Sequence, residues 1–234
     1  MTLHRDDLEN MVKIGIVSDT FRAESAIELL KVSGTRAAQI NDGREGYGPL
    51  FGAIQTSLNT DALLALSRIF DKPSEQYPTR CLRGALAFLA KRSTELPSIR
   101  EPYQLEIVLR AMNAPEQLIS TVRERPADFA KLFAAFVEDF LRSRSTVETL
   151  EKLKILRDKR LAHNELTSDI EGPIWPALIS LLELAKQVVG VLGWAYFSTG
   201  YAVNGKYLLS EDALRPSRAL TRLLDAVFGA EVPP

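Results

Sequence analysis

Apolar residues recur along most of the chain every three or four positions, which is the spacing of one face of an α-helix, and strand-like alternation is scarce. The pattern predicts an all-α protein. A helical region is expected over about residues 5–40, with an interruption near Gly34. Asn41 to Pro49 collects glycine and proline and reads as a loop. A helix follows from about Leu50 to Phe70, with Phe51, Ile54, Leu58, Leu63, Leu66 and Phe70 in helical spacing. Pro73 in Asp71-Lys-Pro-Ser74 stops it, because proline disfavours a helical residue before it and lacks a backbone donor.

Pro78-Thr79 is the expected start of the next helix, which runs to about Ser93, and two shorter helices are expected over 101–112 and 115–124. Pro126 opens another that carries Phe129, Leu132, Phe133, Phe136, Val137 and Phe140, a one-sided stripe that reads as core. Ser145-Thr-Val-Glu148 fits a capping box and starts a helix from Thr146 to about His163. Gly172-Pro173 precedes a long apolar helix from about Ile174 to Phe197. The uncharged run Gln187 to Gly205 approaches the ~20 residues of a membrane span. Its four glycines and its polar residues favour a buried helix followed by a turn. Val203-Asn-Gly-Lys206 suits a tight hairpin, and a last helix is expected from Glu211 to Val227. With no repeat and no low-complexity linker, the expected organisation is one helical domain over 1–198 and a C-terminal extension over 199–234 packed on it.

Composition narrows the chemistry. The chain has 234 residues, enough for a sizeable core, and a formal net charge of −1, so any binding to nucleic acid must come from a local patch. Cys81 is the single cysteine, which excludes an intrachain disulfide and a multi-thiolate metal site. His4 and His163 are the two histidines, too few for a three-histidine zinc site. No metal or other cofactor is expected. The Gly-rich loop at 41–49 lacks the Gly-Lys-Ser/Thr ending of a phosphate-cradling loop. The charged N-terminus has no apolar stretch for a secretory signal, so a cytoplasmic protein with no membrane partner is expected.

One segment stands out chemically, residues 150–165. On a helical wheel at about 100° per residue, Arg157 falls within the apolar stripe of Val147, Leu150, Leu153 and Leu161. A guanidinium there needs a carboxylate, a phosphate or a wet interface. His163 falls roughly 120° away, with Arg160 between, so a straight helix does not put Arg157 and His163 on one face. A bend, or a second copy of the helix across a two-fold axis, would bring such groups together. Lys152, Lys154, Arg157, Lys159 and Arg160 outnumber Glu151 and Asp158, so this stretch is basic in a neutral protein. The same residues also fit a solvated helix face, with Arg157 paired to a structural carboxylate such as Asp71 or Asp139 and His163 at a helix C-terminus.

The run Arg157-Asp158-Lys159-Arg160-Leu161-Ala162-His163 resembles the signature of HEPN domains: an arginine, a polar neighbour, and a histidine after four to six intervening residues. Five intervene here. A second stretch, Leu50-Phe51 through Ala65-Leu66-Ser67-Arg68-Ile69-Phe70-Asp71, is similar to the branch linked to abortive infection of phage-infected bacteria, the U-type Abi proteins. The resemblance covers about residues 15–195, and the stretch from about 200 onward departs from it.

What the resemblance implies is a HEPN-like helical bundle with additional helices at the C-terminus, frequent homodimers and, in many members, metal-independent RNA cleavage. Arg157 and His163 would be the catalytic pair and Asp158 a supporting polar residue. Lys154, Lys159 and Arg160 would bind RNA phosphates without reading bases. The RNA 2′-hydroxyl would attack the adjacent phosphorus, with His163 moving a proton and Arg157 stabilising charge, to leave a 2′,3′-cyclic phosphate and a 5′-hydroxyl. Phage defence or toxicity would follow, with an antitoxin protein as a further partner. Two other functions compete: a non-catalytic module for RNA, nucleotide or protein, and a structural helical protein in which Arg157 is only an ion pair.

Overall fold

Helix α2 (Val17–Thr35) and helix α4 (Gly48–Ile69) pack along most of their lengths, and this pair is the frame of the molecule. The computed structural model describes residues 2–42, 46–73, 79–162 and 171–229. Before α2 come α1 (Thr2–Asn10) and a π-helical segment, Met11–Ile16; between α2 and α4 lies the short α3 (Ala37–Asp42). The helical region breaks at Arg36, close to the expected Gly34. After α4 follow α5 (Leu82–Lys91), α6 (Pro102–Ala111), α7 (Glu116–Glu124), α8 (Pro126–Leu141) and α9 (Arg144–Leu156). The backbone of α9 then widens into a π-helical segment, Arg157–Ala162. Helix α10 (Trp175–Leu192) also ends in π turns, Gly193–Phe197. A two-strand hairpin, β1 (Ala202–Val203) and β2 (Lys206–Tyr207), leads to α11 (Ser210–Ala213) and α12 (Arg215–Phe228). Among the described residues the protein is all-α apart from this hairpin.

Helix α10 is the buried centre. Leu181, Leu182, Ala185, Val188, Val189 and Leu192 are closed off from solvent by α2, α4, α6 and α9. Trp175–Phe197 is long and apolar enough to cross a membrane, but 67% of its most apolar window lies inside the fold, as for a core helix. Where α10 ends, Gly193 leaves room for the returning chain: a Cβ there would sit 2.3 Å from the Thr199 carbonyl oxygen. The hairpin turn is the expected Asn204-Gly205, with φ of 49° and 74°, the left-handed pair that a two-residue turn requires. Trp194 Nε1–H donates to the Ala202 carbonyl at 2.7 Å and ties the hairpin to the helix. Tyr196, Phe197 and Tyr201 are buried in the chain's own core.

Four further expectations change. Helix α5 begins at Leu82, not at Pro78-Thr79. Cys81 is extended and its sulfur accepts from Gly84 N–H at 3.4 Å, so a thiol takes the capping role. The capping box at Ser145 does not form. Helix α9 starts earlier, at Arg144 after Ser143, and Ser143 Oγ pairs with the buried Thr146 hydroxyl at 2.9 Å. The α8 stripe is core only in part: Phe129, Phe133 and Val137 are buried, while Leu132 and Phe140 face solvent. The single last helix is two, α11 and α12, with Pro216 in the first turn of α12.

Helix α12 closes back onto α2. Its Leu224 joins Ile40 and Phe51 in a small second core. Beside it the buried Arg36 guanidinium pairs with Asp225 and donates to Gln39 Oε1 at 2.7 Å and to the Gly229 carbonyl at 3.3 Å.

Candidate functional site

Arg157 is the first residue of the widened turn that follows α9, and Asp71 is the second residue after α4 ends. Helices α4 and α9 pack against each other, so the two motif stretches meet in space. Arg157 Nη1 lies 3.2 Å from Asp71 Oδ1, and Arg157 Nε donates to Asp158 Oδ1 at 2.7 Å. Of the two carboxylates that its place on the wheel suggested, Asp71 is the one in contact. Adjacent side chains on an α-helix do not face each other. The Arg157–Asp158 bond falls where the helix has changed to i→i+5 bonding, a distortion frequent at functional sites. Asp71 Oδ1 also accepts from the Lys72 backbone N–H at 2.9 Å, which fixes the carboxylate against its own chain.

The electrostatics follow from this geometry. Burial pulls the Arg157 pKa down, but the hydrogen bonds and charges of Asp158 and Asp71 outweigh it, and the net shift is upward. The guanidinium stays charged. Asp158 is shared by Arg157 and Lys154, whose hydrogen bonds hold its carboxyl below the ordinary carboxylate value. Lys152 pairs with Glu171 at 2.9 Å. Three cations of the basic stretch are thus balanced locally by carboxylates. Lys159, half-buried on the same turn, also has a partner within the chain. Arg160 sits on the described backbone of that turn, with its side chain outside the described atoms. His163 lies outside the described residues.

Arg157 lines a cavity of about 280 Å³ between α4 and α9. Phe70, Val147, Leu150 and Leu153 form its apolar walls; Lys72, Arg83, Lys154 and Arg157 face it with Asp71 and Glu151; Ser67 completes the lining. Sequence reasoning gave no role to Ser67, Lys72 or Arg83. The one signal was Ser67 itself, a hydroxyl that directly follows the apolar run Leu63 to Leu66. Across Asp71 opens a second cleft of about 780 Å³, also lined by Arg22, Arg68, Arg80 and Arg92. There Arg68 grips Asp19 with two nitrogens, Nε at 3.0 Å and Nη2 at 2.6 Å from Oδ1. Among the described residues no group of three or more His, Cys, Asp or Glu side chains is placed to hold a metal ion.

The fold is thus an all-α bundle in which an arginine of a widened helix meets an aspartate from the end of a long neighbouring helix. The family model HEPN_AbiU2, described as AbiU2, matches residues 6–215. The chain therefore belongs to the AbiU2 family of HEPN domains, an abortive-infection family. No curated protein and no solved structure matches it.

Proposed function

We propose that the protein is a metal-independent endoribonuclease of phage defence, a homodimer that cuts RNA through attack of the 2′-hydroxyl. The observation that carries this reading is Arg157, held by Asp71 and Asp158 at the wall of a cavity yet still partly open to it. A charged guanidinium fixed on two carboxylates and facing a solvent-filled space is pre-organised for the extra negative charge of a pentacoordinate phosphorus. His163 supplies proton transfer near neutral pH, and Asp158 orients Arg157. Lys154, Lys159 and Arg160 draw the phosphate backbone, which makes binding salt-dependent.

A second reading has its own observation. The ion pairs of Lys152, Lys154 and Arg157 with Glu171, Asp158 and Asp71 lower the free positive charge of the segment, which favours a non-catalytic module for RNA, nucleotide or a protein partner.

Cleavage of RNA in EDTA at low salt by wild type, Arg157→Ala and His163→Ala separates the two. The nuclease reading expects cutting by wild type alone, cyclic phosphate ends, and DNA left intact. Binding by all three without cutting by any would leave the module. An absence of both would reduce Arg157 to a structural ion pair.

A further inference from the structure

The cavity beside Arg157 contains a side chain that the fold leaves without a partner. Ser67 is 5% exposed, and its Oγ has no hydrogen-bond partner among the described residues. In α2 and α4, Ser33, Thr56 and Ser57 each donate to the carbonyl four residues back, at 2.9 to 3.1 Å, whereas the buried Thr20 and Ser67 hydroxyls have no such partner among the described residues, and of these two Ser67 is the one beside a cavity. A buried hydroxyl without a partner is costly, which marks Ser67 as a group whose partner arrives from outside. Ser67 is among the residues that line the cavity, which makes a group entering there the nearest outside partner for its hydroxyl.

The rest of the lining defines that occupant. The volume, about 280 Å³, lies at the small end of ligand cavities, which begin at about 300 Å³. Its walls are apolar, Phe70 and Leu153 among them, and suit a flat ring system. Its charged lining has four cations, Lys72, Arg83, Lys154 and Arg157, of which Arg157 pairs with Asp71 and Asp158, Lys154 with Asp158, and Arg83 lies 3.5 Å from Glu138. An apolar slot with one hydroxyl inside and cations at its edge fits a nucleobase attached to a phosphate. It does not admit a duplex, so the strand must be single and its base turned out.

We propose that this cavity is a nucleobase pocket next to the phosphate held by Arg157, and that Ser67 is the residue that reads an edge of the base. The proposal rests on the RNA-directed reading above, but its test does not need cleavage.

The probes are four fluorescent tetranucleotides, oligo(A), oligo(C), oligo(G) and oligo(U), made with 2′-fluoro sugars that lack the attacking hydroxyl. They are titrated into the full chain, as wild type and as Ser67→Ala. The four nucleoside 5′-monophosphates form a second arm. Wild type is expected to prefer one base, and Ser67→Ala to lose roughly 5- to 10-fold in affinity for that base and little for the others. The free Ser67→Ala protein is expected to melt no lower than wild type, because the lost hydroxyl had no partner. A merely structural serine would instead lower the melting temperature and leave the base preference intact. A monophosphate that binds as tightly as its tetranucleotide keeps the pocket and makes a free nucleotide its ligand. Equal affinity of wild type for all four bases, no binding of any probe, or unchanged binding by Ser67→Ala overturns the proposal. RNA that wild type binds with a base preference but never cuts would overturn the nuclease reading alone.

Discussion

Asp71 takes two donors on one oxygen, the Lys72 N–H and the Arg157 guanidinium, and so links the end of α4 to the start of the widened turn. Removing its charge leaves Arg157 with Asp158 alone. Both members of the pair are partly exposed, so Asp71→Ala should lower stability by only about 1 kcal/mol, read from the urea midpoint at constant m-value. The loss of orientation should cost more than the loss of stability: cleavage of saturating RNA should fall at least ~10-fold while the fold persists. Wild-type turnover in Asp71→Ala would show that Asp158 positions Arg157 unaided. The demand for this pair was legible in the sequence, because an arginine in an apolar stripe must find a carboxylate, and Asp71 was one of two named. Ser67 was present as an anomaly, but which way it points depends on how α4 meets α9, and no local pattern encodes that.

At the scale of elements, the legible features were those with a local cause. Proline in the first turn marks the starts of α4, α6, α8 and α10. Asn204-Gly205 marks the hairpin, because both residues adopt positive φ. That conformation yields a direct expectation: Gly205→Ala should cost about 1 kcal/mol, because a left-handed residue now carries a Cβ. The added Cβ would meet Ala111 at 3.4 Å, a tight contact of the hairpin with α6. Asn204→Gly should change stability by a few tenths only. Equal midpoints for Gly205→Ala and wild type in chemical denaturation would exclude this turn geometry. The illegible elements had competing local solutions. Ser143 and Ser145 both suit a helix start, and the earlier one prevails where its hydroxyl can satisfy the buried Thr146. The change from α to π bonding at Arg157 has no signature in residue type.

Over the whole molecule, the chain's two ends are joined through a buried polar cluster that no short-range pattern announces. Lys186 of α10 donates to Glu24 of α2 at 2.6 Å and to Glu183 at 2.7 Å, and Ser210 of α11 donates to the same Glu24 oxygen at 2.7 Å. Lys186→Met would leave Glu24 buried without its cation and should destabilise the fold by about 3 kcal/mol. The pH dependence of that loss distinguishes a charged pair from a packing defect. Burial acts to lower the Lys186 pKa, but hydrogen bonds to Glu183 and Glu24 outweigh it, and the folded value lies above the ordinary 10.5. A group whose pKa is raised on folding contributes fully below its unfolded value and loses that contribution as pH rises through the folded one. The stability gap between wild type and Lys186→Met should therefore stay constant from pH 7 to about 10 and shrink above the unfolded value near 10.5. Burial pushes the Tyr196 and Tyr207 phenols up as well, and both proteins share these tyrosines, so that their alkaline effect cancels in the difference to first order. Urea midpoints for the two proteins at half-unit steps from pH 7 to 12 give the curve. A gap that widens between pH 8 and 10 would mean a lysine depressed by burial, and a gap that persists to pH 12 would mean that the loss is packing alone.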